Sequence, residues 1–222
     1  MRTDDKMAAM KVIYEDNHLL VVEKPVNVPI QADSSKDEDL LSMAKSYIKE
    51  KYNKPGDVYL GLVHRLDRPV GGVCVFARTS KAAGRLSRQV QDHTFKKTYL
   101  AVVEDHGLKD SGHFEDRLLK DERRNIVKVD PKGKPASLDY EVLKRKDDLA
   151  LVKVDLHTGR SHQIRVQFAS RNHPLWGDQK YNKNAIPNKQ IALWSYELSF
   201  HHPITDEIMV FNSPIDRYPF NL

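Results

Sequence analysis

The chain has 222 residues, of which 40% are hydrophobic, so it is long enough to bury a core of ordinary size. Its 36 lysines and arginines exceed its 31 acids, which gives a net charge of +5 and favours a polyanionic partner such as nucleic acid. Its one cysteine, Cys74, excludes an internal disulfide. With no secretory leader and no long apolar run, the chain is predicted to be soluble and cytoplasmic, without a membrane partner.

The predicted elements of the first part of the chain begin after a loose leader over residues 1–10. The segment KVIYEDNHLLVVEKP has two apolar, β-branched runs around a polar turn at 15–18, which is typical of a hairpin. Apolar residues then recur at helical spacing over 40–48, behind three acids that the positive end of a helix dipole favours. Strands are predicted over 58–63 and 73–77. The second is apolar on both faces and is therefore predicted to be central in a sheet.

The rest of the chain is predicted to be richer in strands. A helix capped by Thr79 or Ser80 precedes a strand over 95–103. The stretch 112–156 is mostly β with charged turns, and alternating residues over 192–211 indicate a final hairpin. The fold class is therefore predicted to be α+β, with strands joined by turns rather than by regular βαβ units.

A candidate reactive carboxylate, Asp67, stands between two arginines in the segment GLVHRLDRPVGGVCVFART. The guanidinium groups of Arg65 and Arg68 favour the ionised form of a neighbouring carboxylate. Such a group can act as a nucleophile, as a general base or as one half of an ion pair, and the pattern by itself favours the ion pair. Gly71 and Gly72 allow a sharp turn or the close approach of a ligand.

A second polar cluster lies in the segment HTGRSHQIRVQF, which is predicted to form a short helix from the cap candidate Ser161. The cluster contains Arg160, His162, Gln163 and Arg165. One interpretation is a solvated basic face. The other is a guanidinium that reaches into a cleft to meet Asp67, and the spacing does not choose between the two.

Signals for a nucleotide cofactor or a metal are missing from the sequence. It contains neither a Walker phosphate loop nor a G-x-G-x-x-G segment. His157 and His162 do not have the spacing of an H-E-x-x-H zinc motif, and the adjacent His201 and His202 point to opposite sides of a continuous strand. We therefore expect no cofactor and no metal site.

Four segments resemble the motifs of a known family and occur in its order, between Leu19 and Pro214. They are LLVVEKPVNVPI, HRLDRPVGGVCVFA, TGRSHQIRVQF followed by HPLWGDQKY, and LWSYELSFHHPITDEIMVFNSP. The second resembles the segment that bears the catalytic aspartate of the RluA-type RNA pseudouridine synthases, and the others resemble that family's first strand, second hallmark and last strand pair.

The resemblance implies a pseudouridine synthase catalytic domain over residues 11–222. Its expected fold is a mixed, mainly antiparallel sheet with flanking helices and a central RNA-binding cleft. Its expected activity is the cofactor-free isomerisation of uridine to pseudouridine in rRNA or tRNA, by a monomer. Since many relatives carry an additional S4-type domain, for which the chain before Lys11 is too short, substrate choice is expected to depend on the catalytic domain.

The resemblance also implies roles for individual residues. Asp67 is the catalytic carboxylate, Arg165 pairs with it, and Tyr99 lies against the target base. Arg65 helps to expel that base from the RNA stack. The remaining implied RNA contacts are His64, Arg68, Arg160, His162 and Gln163.

Some features depart from the family or leave other functions open. The run Arg68-Pro69-Val70-Gly71 replaces a Thr-Ser pair common in the family, and Gln167 stands where a histidine is frequent. Several lysines and arginines are candidates either for phosphate contacts or for solubilising charge: Lys96, Lys97, Arg123, Arg124 and Lys128. A noncatalytic RNA-binding protein and a metal-dependent nuclease are the alternative functions.

Overall fold

The structure is a computed structural model and describes residues 10–222 of the chain. The leader predicted over 1–10 therefore lies, except for Met10, outside the described residues. The described residues divide into two compact units: unit 1 comprises 10–95 and Glu197–Ser213, and unit 2 comprises Lys96–Tyr196 and Pro214–Leu222. Within the described residues, no helix is long and apolar enough to cross a membrane.

Between residues 10 and 222 the chain forms eleven strands and three helices. The strands are β1 Lys11–Glu15, β2 Leu19–Lys24, β3 Gly61–Leu62, β4 Gly71–Ala77, β5 Lys96–Glu104, β6 Ser111–Asp121, β7 Ile126–Val129, β8 Lys134–Lys146, β9 Leu149–Leu156, β10 Leu193–His201 and β11 Ile208–Asn212. The helices are α1 Leu40–Lys51, α2 Ser80–Gln91 and α3 Gln163–Ala169.

Unit 1 contains the two predicted hairpins, which are both confirmed. β1 pairs antiparallel with β2, and β10 pairs antiparallel with β11. β4 pairs antiparallel with β2, and all seven of its residues are buried, as the apolar run predicted for a central strand. The core of this unit includes Val75, Leu86, Phe95 and Phe200, and the last two rings stack with their centroids 4.9 Å apart.

The helices of unit 1 begin where local sequence signals predict. The Asp39 side chain accepts a hydrogen bond from the Ser42 backbone N–H at 3.0 Å and so caps α1. The Thr79 hydroxyl accepts one from the Ala82 backbone N–H at 3.1 Å and caps α2. Each cap satisfies a backbone donor that would otherwise have no partner in the first turn.

The strand predicted over 58–63 is wrong in its length, because only Gly61 and Leu62 pair with β4. They lie opposite Ala77 and Phe76, at the very end of β4, and Tyr59 is exposed to solvent. Beyond β3 the chain therefore leaves the sheet edge and forms the loop that contains Asp67.

Unit 2 is a set of antiparallel strands in the order β5-β9-β8-β6-β7. α3 packs Ile164 and Phe168 inward, as predicted, and Phe168 makes edge-on ring contacts with Phe114 and Tyr140 at centroid distances of 5.0 and 5.4 Å. The strand pairings named for both units are antiparallel, and the three helices complete an α+β fold, which confirms the predicted class.

The predicted cap of α3 is wrong. His162, not Ser161, occupies the cap position, with a left-handed φ of 52° and no side-chain capping bond. The Gln163 side chain instead reaches back and accepts a hydrogen bond from the Arg160 backbone N–H at 3.1 Å. Gln163, the first residue of the helix, thus provides a hydrogen-bond acceptor for a backbone N–H of the loop that precedes it.

Candidate active site

Asp67 begins a tight turn between β3 and β4. Its backbone carbonyl accepts a hydrogen bond from the Val70 N–H at 2.9 Å, and its side chain is half-buried. Gly72, which follows the turn, has a φ of 114°, a conformation that residues with a side chain rarely adopt. The glycine at this position is therefore required by the backbone path out of the turn.

Neither arginine beside Asp67 is its ion-pair partner. Arg68 is exposed and pairs with Asp37 and, at 3.7 Å, with Asp33. Arg65 is exposed and has no ion-pair partner among residues 10–222. The ion pair with a flanking arginine, which the sequence pattern favoured, is therefore not formed.

A fully buried lysine, Lys24, holds the turn that contains Asp67. Its ammonium group donates hydrogen bonds to the carbonyls of Pro25, Arg68 and Val70 at 3.1, 2.9 and 2.7 Å. Burial lowers the pKa of Lys24 to about 8, while the charge of Asp67 acts in the opposite direction and raises it. Lys24 was not singled out in the sequence analysis.

The buried lysine gives a testable pH dependence. The rate of the isomerisation that the resemblance implies is expected to fall severalfold between about pH 7 and about pH 10, with a midpoint near the Lys24 pKa of about 8. The reason is that a neutral amine has one N–H fewer to donate to three carbonyls. In the same window this group raises the free energy of unfolding as pH rises, because the unfolded lysine, with a pKa of about 10.4, binds the proton more tightly.

Single-turnover rates and urea midpoints across this range, with Lys24→Met as the control, would test the assignment. The substituted protein should lose the fall in rate centred near pH 8 and the rise in unfolding free energy that begins near that pH. A wild-type rate that does not change across the range would contradict it.

His64 has an interior position in unit 1. Its Nε2 accepts a hydrogen bond from the Val75 backbone N–H at 3.2 Å, and its ring lies 5.5 Å from that of Phe95. These contacts are those of a residue that supports the loop leading to Asp67. A direct RNA contact from His64 stays a prediction.

Arg165, the cation predicted to pair with Asp67, is buried on α3 in unit 2. Its Nε and Nη2 donate to the two oxygens of Asp178 at 2.8 and 2.7 Å, and Asp178 is completely buried. Such a forked pair fixes both the position and the plane of the guanidinium. Since Asp67 belongs to unit 1, its pairing with Arg165 stays a prediction.

Tyr181 connects several groups around Arg165. The guanidinium carbon lies 5.1 Å from the centre of the Tyr181 ring. The Tyr181 hydroxyl lies 2.6 Å from Nδ1 of His162 and accepts a hydrogen bond from the Val127 N–H at 2.9 Å. Asp178 and Tyr181 both come from the segment HPLWGDQKY, and neither was singled out in the sequence analysis.

The loop before α3 is fixed by Gln163. Its Oε1 accepts hydrogen bonds from the Thr158 hydroxyl at 2.7 Å and from the Arg160 N–H, while its Nε2 donates to the Ser137 carbonyl at 3.1 Å. Gln163 is buried, so its position is that of a scaffold residue, and RNA contact from it stays a prediction. Arg160 is exposed, and its Nε donates to the Pro135 carbonyl at 2.9 Å.

Tyr99, the predicted stacking partner of the base, is buried on β5 of unit 2, opposite Val154 of β9. The four predicted site residues of unit 1 are His64, Arg65, Asp67 and Arg68. The five of unit 2 are Tyr99, Arg160, His162, Gln163 and Arg165. Within unit 2, α3 and the loop before it bring four of these together.

One group of side chains in the described part of the chain could hold a metal ion: His113, Asp139 and His157. The two Asp139 oxygens lie 2.6 and 2.7 Å from a ring nitrogen of His113 and of His157, respectively. These hydrogen bonds lower the pKa of Asp139. Two imidazoles and a carboxylate suit a zinc-type ion, although the same contacts also satisfy the three groups without one.

Comparisons with known proteins agree on one family. A family model described as RNA pseudouridylate synthase matches residues 18–170, a range that contains Asp67, Tyr99 and Arg165. An uncharacterized RNA pseudouridine synthase of Aquifex aeolicus is 36% identical over 217 residues, which cover 91% of this chain and 68% of that protein.

Two further relatives are named for the ribosomal large subunit. Ribosomal large subunit pseudouridine synthase C of Vibrio parahaemolyticus is 29% identical, over 92% of this chain and 65% of its own length. Synthase D of Nitrosomonas europaea is 31% identical, over 93% of this chain and 62% of its own length. The chain thus spans about two thirds of the length of these curated relatives.

Two solved structures of human proteins named for a pseudouridylate synthase domain have a similar fold. Human RNA Pseudouridylate Synthase Domain Containing 4 superposes with a TM-score of 0.79 at 20% identity, covering 95% of this chain and 90% of that one. Domain Containing 1 gives a TM-score of 0.76 at 23% identity, over 94% and 84% of the two chains. The chain therefore belongs to the family of RNA pseudouridylate synthases, isomerases that convert uridine in RNA to pseudouridine.

Proposed function

We propose that this chain forms pseudouridine in ribosomal RNA, with Asp67 as the catalytic carboxylate. The observation that carries the assignment is the turn itself. Asp67 lies in the matched family segment, on a turn that the buried Lys24 holds through the carbonyls of Arg68 and Val70. A carboxylate fixed on a rigid turn is the arrangement that nucleophilic or general-base catalysis requires.

The reaction requires no oxidant and no energy source. The bond between N1 and C1′ of uridine breaks, a bond between C5 and C1′ forms, C5 loses a proton and N1 gains one. A carboxylate can start this sequence either by attack on the ribose or by proton abstraction, and both routes use Asp67 in its ionised form. No step calls for a cofactor, in line with the expectation that none is bound.

Arg165 is proposed to keep Asp67 ionised and oriented in the complex with RNA. Its guanidinium is already fixed by Asp178 and by the face of Tyr181, so little freedom is lost when a further carboxylate is bound.

Tyr99 is proposed to lie against the flipped uracil. Enzymes that modify bases must first extrude the target from the stack.

The exposed Arg65 suits the role of filling the space that the flipped base leaves. It has no ion-pair partner among the described residues, so its guanidinium can bind phosphate or stack on a base without breaking an existing pair. Arg68 would first have to leave Asp33 and Asp37. We therefore give Arg65 the larger part in RNA binding.

The relatives named for the ribosomal large subunit support ribosomal RNA as the substrate class, and with it a cytoplasmic location. We retain the prediction that the chain acts as a monomer. In cells, deletion of the protein is expected to remove one or a few pseudouridines from rRNA and none from tRNA. Sequencing of both RNA classes after pseudouridine-specific chemistry tests this, and sites lost only from tRNA would overturn the substrate class.

A further inference from the structure

Lys97 on β5 is a buried lysine, and a buried cation ordinarily has an anionic or hydrogen-bonding partner. Only 8% of the residue is exposed, whereas its neighbour Lys96 is exposed. Within residues 10–222, the Lys97 ammonium group has neither an ion pair nor a hydrogen bond, and burial lowers its pKa. The structure thus corrects the view of Lys97 as a surface lysine. A buried charge is costly unless a counter-charge compensates it.

The Lys97 ammonium group lies beside Gly159, on the side where a side chain at that position would project. A Cβ atom built on this glycine would be only 3.1 Å from Lys97 Nζ. Gly159 is exposed, so the buried stem of Lys97 brings its charged tip to a loop at the protein surface. Because side chains alternate along a strand, Lys97 and Tyr99 also point to the same face of β5.

A second cation follows Gly159 directly in the chain. Arg160 is exposed and is anchored through Nε to the Pro135 carbonyl. Its terminal nitrogens have no ion-pair partner in the part of the chain that the structure describes. The loop is itself held by Gln163, so Arg160 starts from a fixed backbone next to Gly159, the residue that Lys97 Nζ approaches.

We propose that Lys97 and Arg160 form a phosphate subsite around Gly159, which binds a backbone phosphate of the RNA next to the target uridine. This inference rests on the proposed function, because the subsite lies on the Tyr99 face of β5. A phosphate would supply the counter-charge that Lys97 lacks. Because Lys97 and Arg160 come from different elements, together they would fix the register of the RNA strand. The lack of a side chain at residue 159 leaves room for the ammonium group.

The test compares Lys97→Met with Lys109→Met, an exposed lysine of the same unit, in RNA-binding titrations from about 50 to 200 mM salt. A fragment of rRNA containing the mapped uridine is the probe. Loss of one phosphate contact should lower the slope of log K against log salt by about 0.7 to 0.9 and weaken binding about tenfold, with no change for Lys109→Met. An unchanged slope for Lys97→Met would overturn the subsite.

Gly159→Ala provides a second variant that keeps the lysine. The added methyl group is expected to displace the Lys97 ammonium group and so to reproduce part of the decrease in the slope of log K against log salt. This result does not depend on whether Lys97→Met folds. Thermal melting with inorganic phosphate is the third arm. A rise in melting temperature that depends on Lys97, with no change in the RNA slope of either variant, would assign the subsite to free phosphate and overturn an RNA role.

The outcomes also separate this inference from the proposed function. If the wild-type chain forms pseudouridine and neither variant changes the salt slope, only the subsite is wrong. If the slopes change as expected but the wild-type chain forms no pseudouridine, the subsite stands and the proposed function fails.

Discussion

Asp67→Asn is expected to reduce the single-turnover rate of pseudouridine formation at least a thousandfold while changing RNA affinity by no more than about twofold. The amide keeps the shape of the side chain, so the turn held by Lys24 can persist. It cannot act as an anionic nucleophile or as a general base. The rate is measured by tritium release from RNA labelled at C5 of uridine, and the affinity by titration of the same RNA.

The control for this substitution is Asp57→Asn, which also removes one negative charge from unit 1 but at an exposed residue. Its rate should match that of the wild type. If Asp67→Asn keeps more than about a tenth of the wild-type rate, the carboxylate is not the catalytic group.

Asp178→Asn is expected to lower the free energy of unfolding by about 3 to 5 kcal/mol. Asp178 is completely buried and binds the buried Arg165 with both oxygens, so its neutralisation removes the charge that compensates the guanidinium. Its Oδ1 also accepts hydrogen bonds from the backbone N–H groups of Lys180 and Tyr181, at 2.9 and 3.3 Å. The loss is measured by urea unfolding at neutral pH.

A matched control is Asp110→Asn, which removes an acid paired with Arg145 in the same unit. The Asp110 side chain is 88% exposed, and exposed pairs contribute about 0 to 1 kcal/mol. If the two variants lose equal free energies of unfolding, the buried pair of Arg165 and Asp178 stabilises the protein no more than an exposed ion pair does.

The elements that could be predicted from sequence are those that depend on neighbouring residues. Asp39 and Thr79 cap their helices because a side-chain oxygen needs only the next turn to find its donor. The first hairpin follows from two β-branched runs around a polar turn and the last from alternation over 192–211, and the apolar run predicted over 73–77 lies within the buried strand β4.

The predictions that failed depend on contacts between distant segments. Ser161 has the chemistry of a cap, but a hydrogen bond between His162 and Tyr181 and the side chain of Gln163 determine how α3 begins. Similarly, the strand predicted over 58–63 contains enough β-formers, but only two of its residues lie beside β4.

The candidate site shows the same division. Asp67 could be singled out from its own segment and Arg165 from a polar cluster that allowed two interpretations, and the resemblance chose a role for Arg165 and added Tyr99. Lys24 and Asp178 could not be found in this way, because a lysine and an aspartate are ordinarily solvated. Their importance is visible only when the fold places each of them in the interior against a specific partner.

The most direct test of the account uses RNA from cells that lack the protein. This RNA is incubated with the purified wild-type chain or with Asp67→Asn, and pseudouridines are mapped afterwards. The account predicts that the wild-type chain alone restores pseudouridine, without a cofactor, at each position lost from the rRNA, and that Asp67→Asn restores none. Restoration by Asp67→Asn, or no restoration by the wild-type chain, would contradict it.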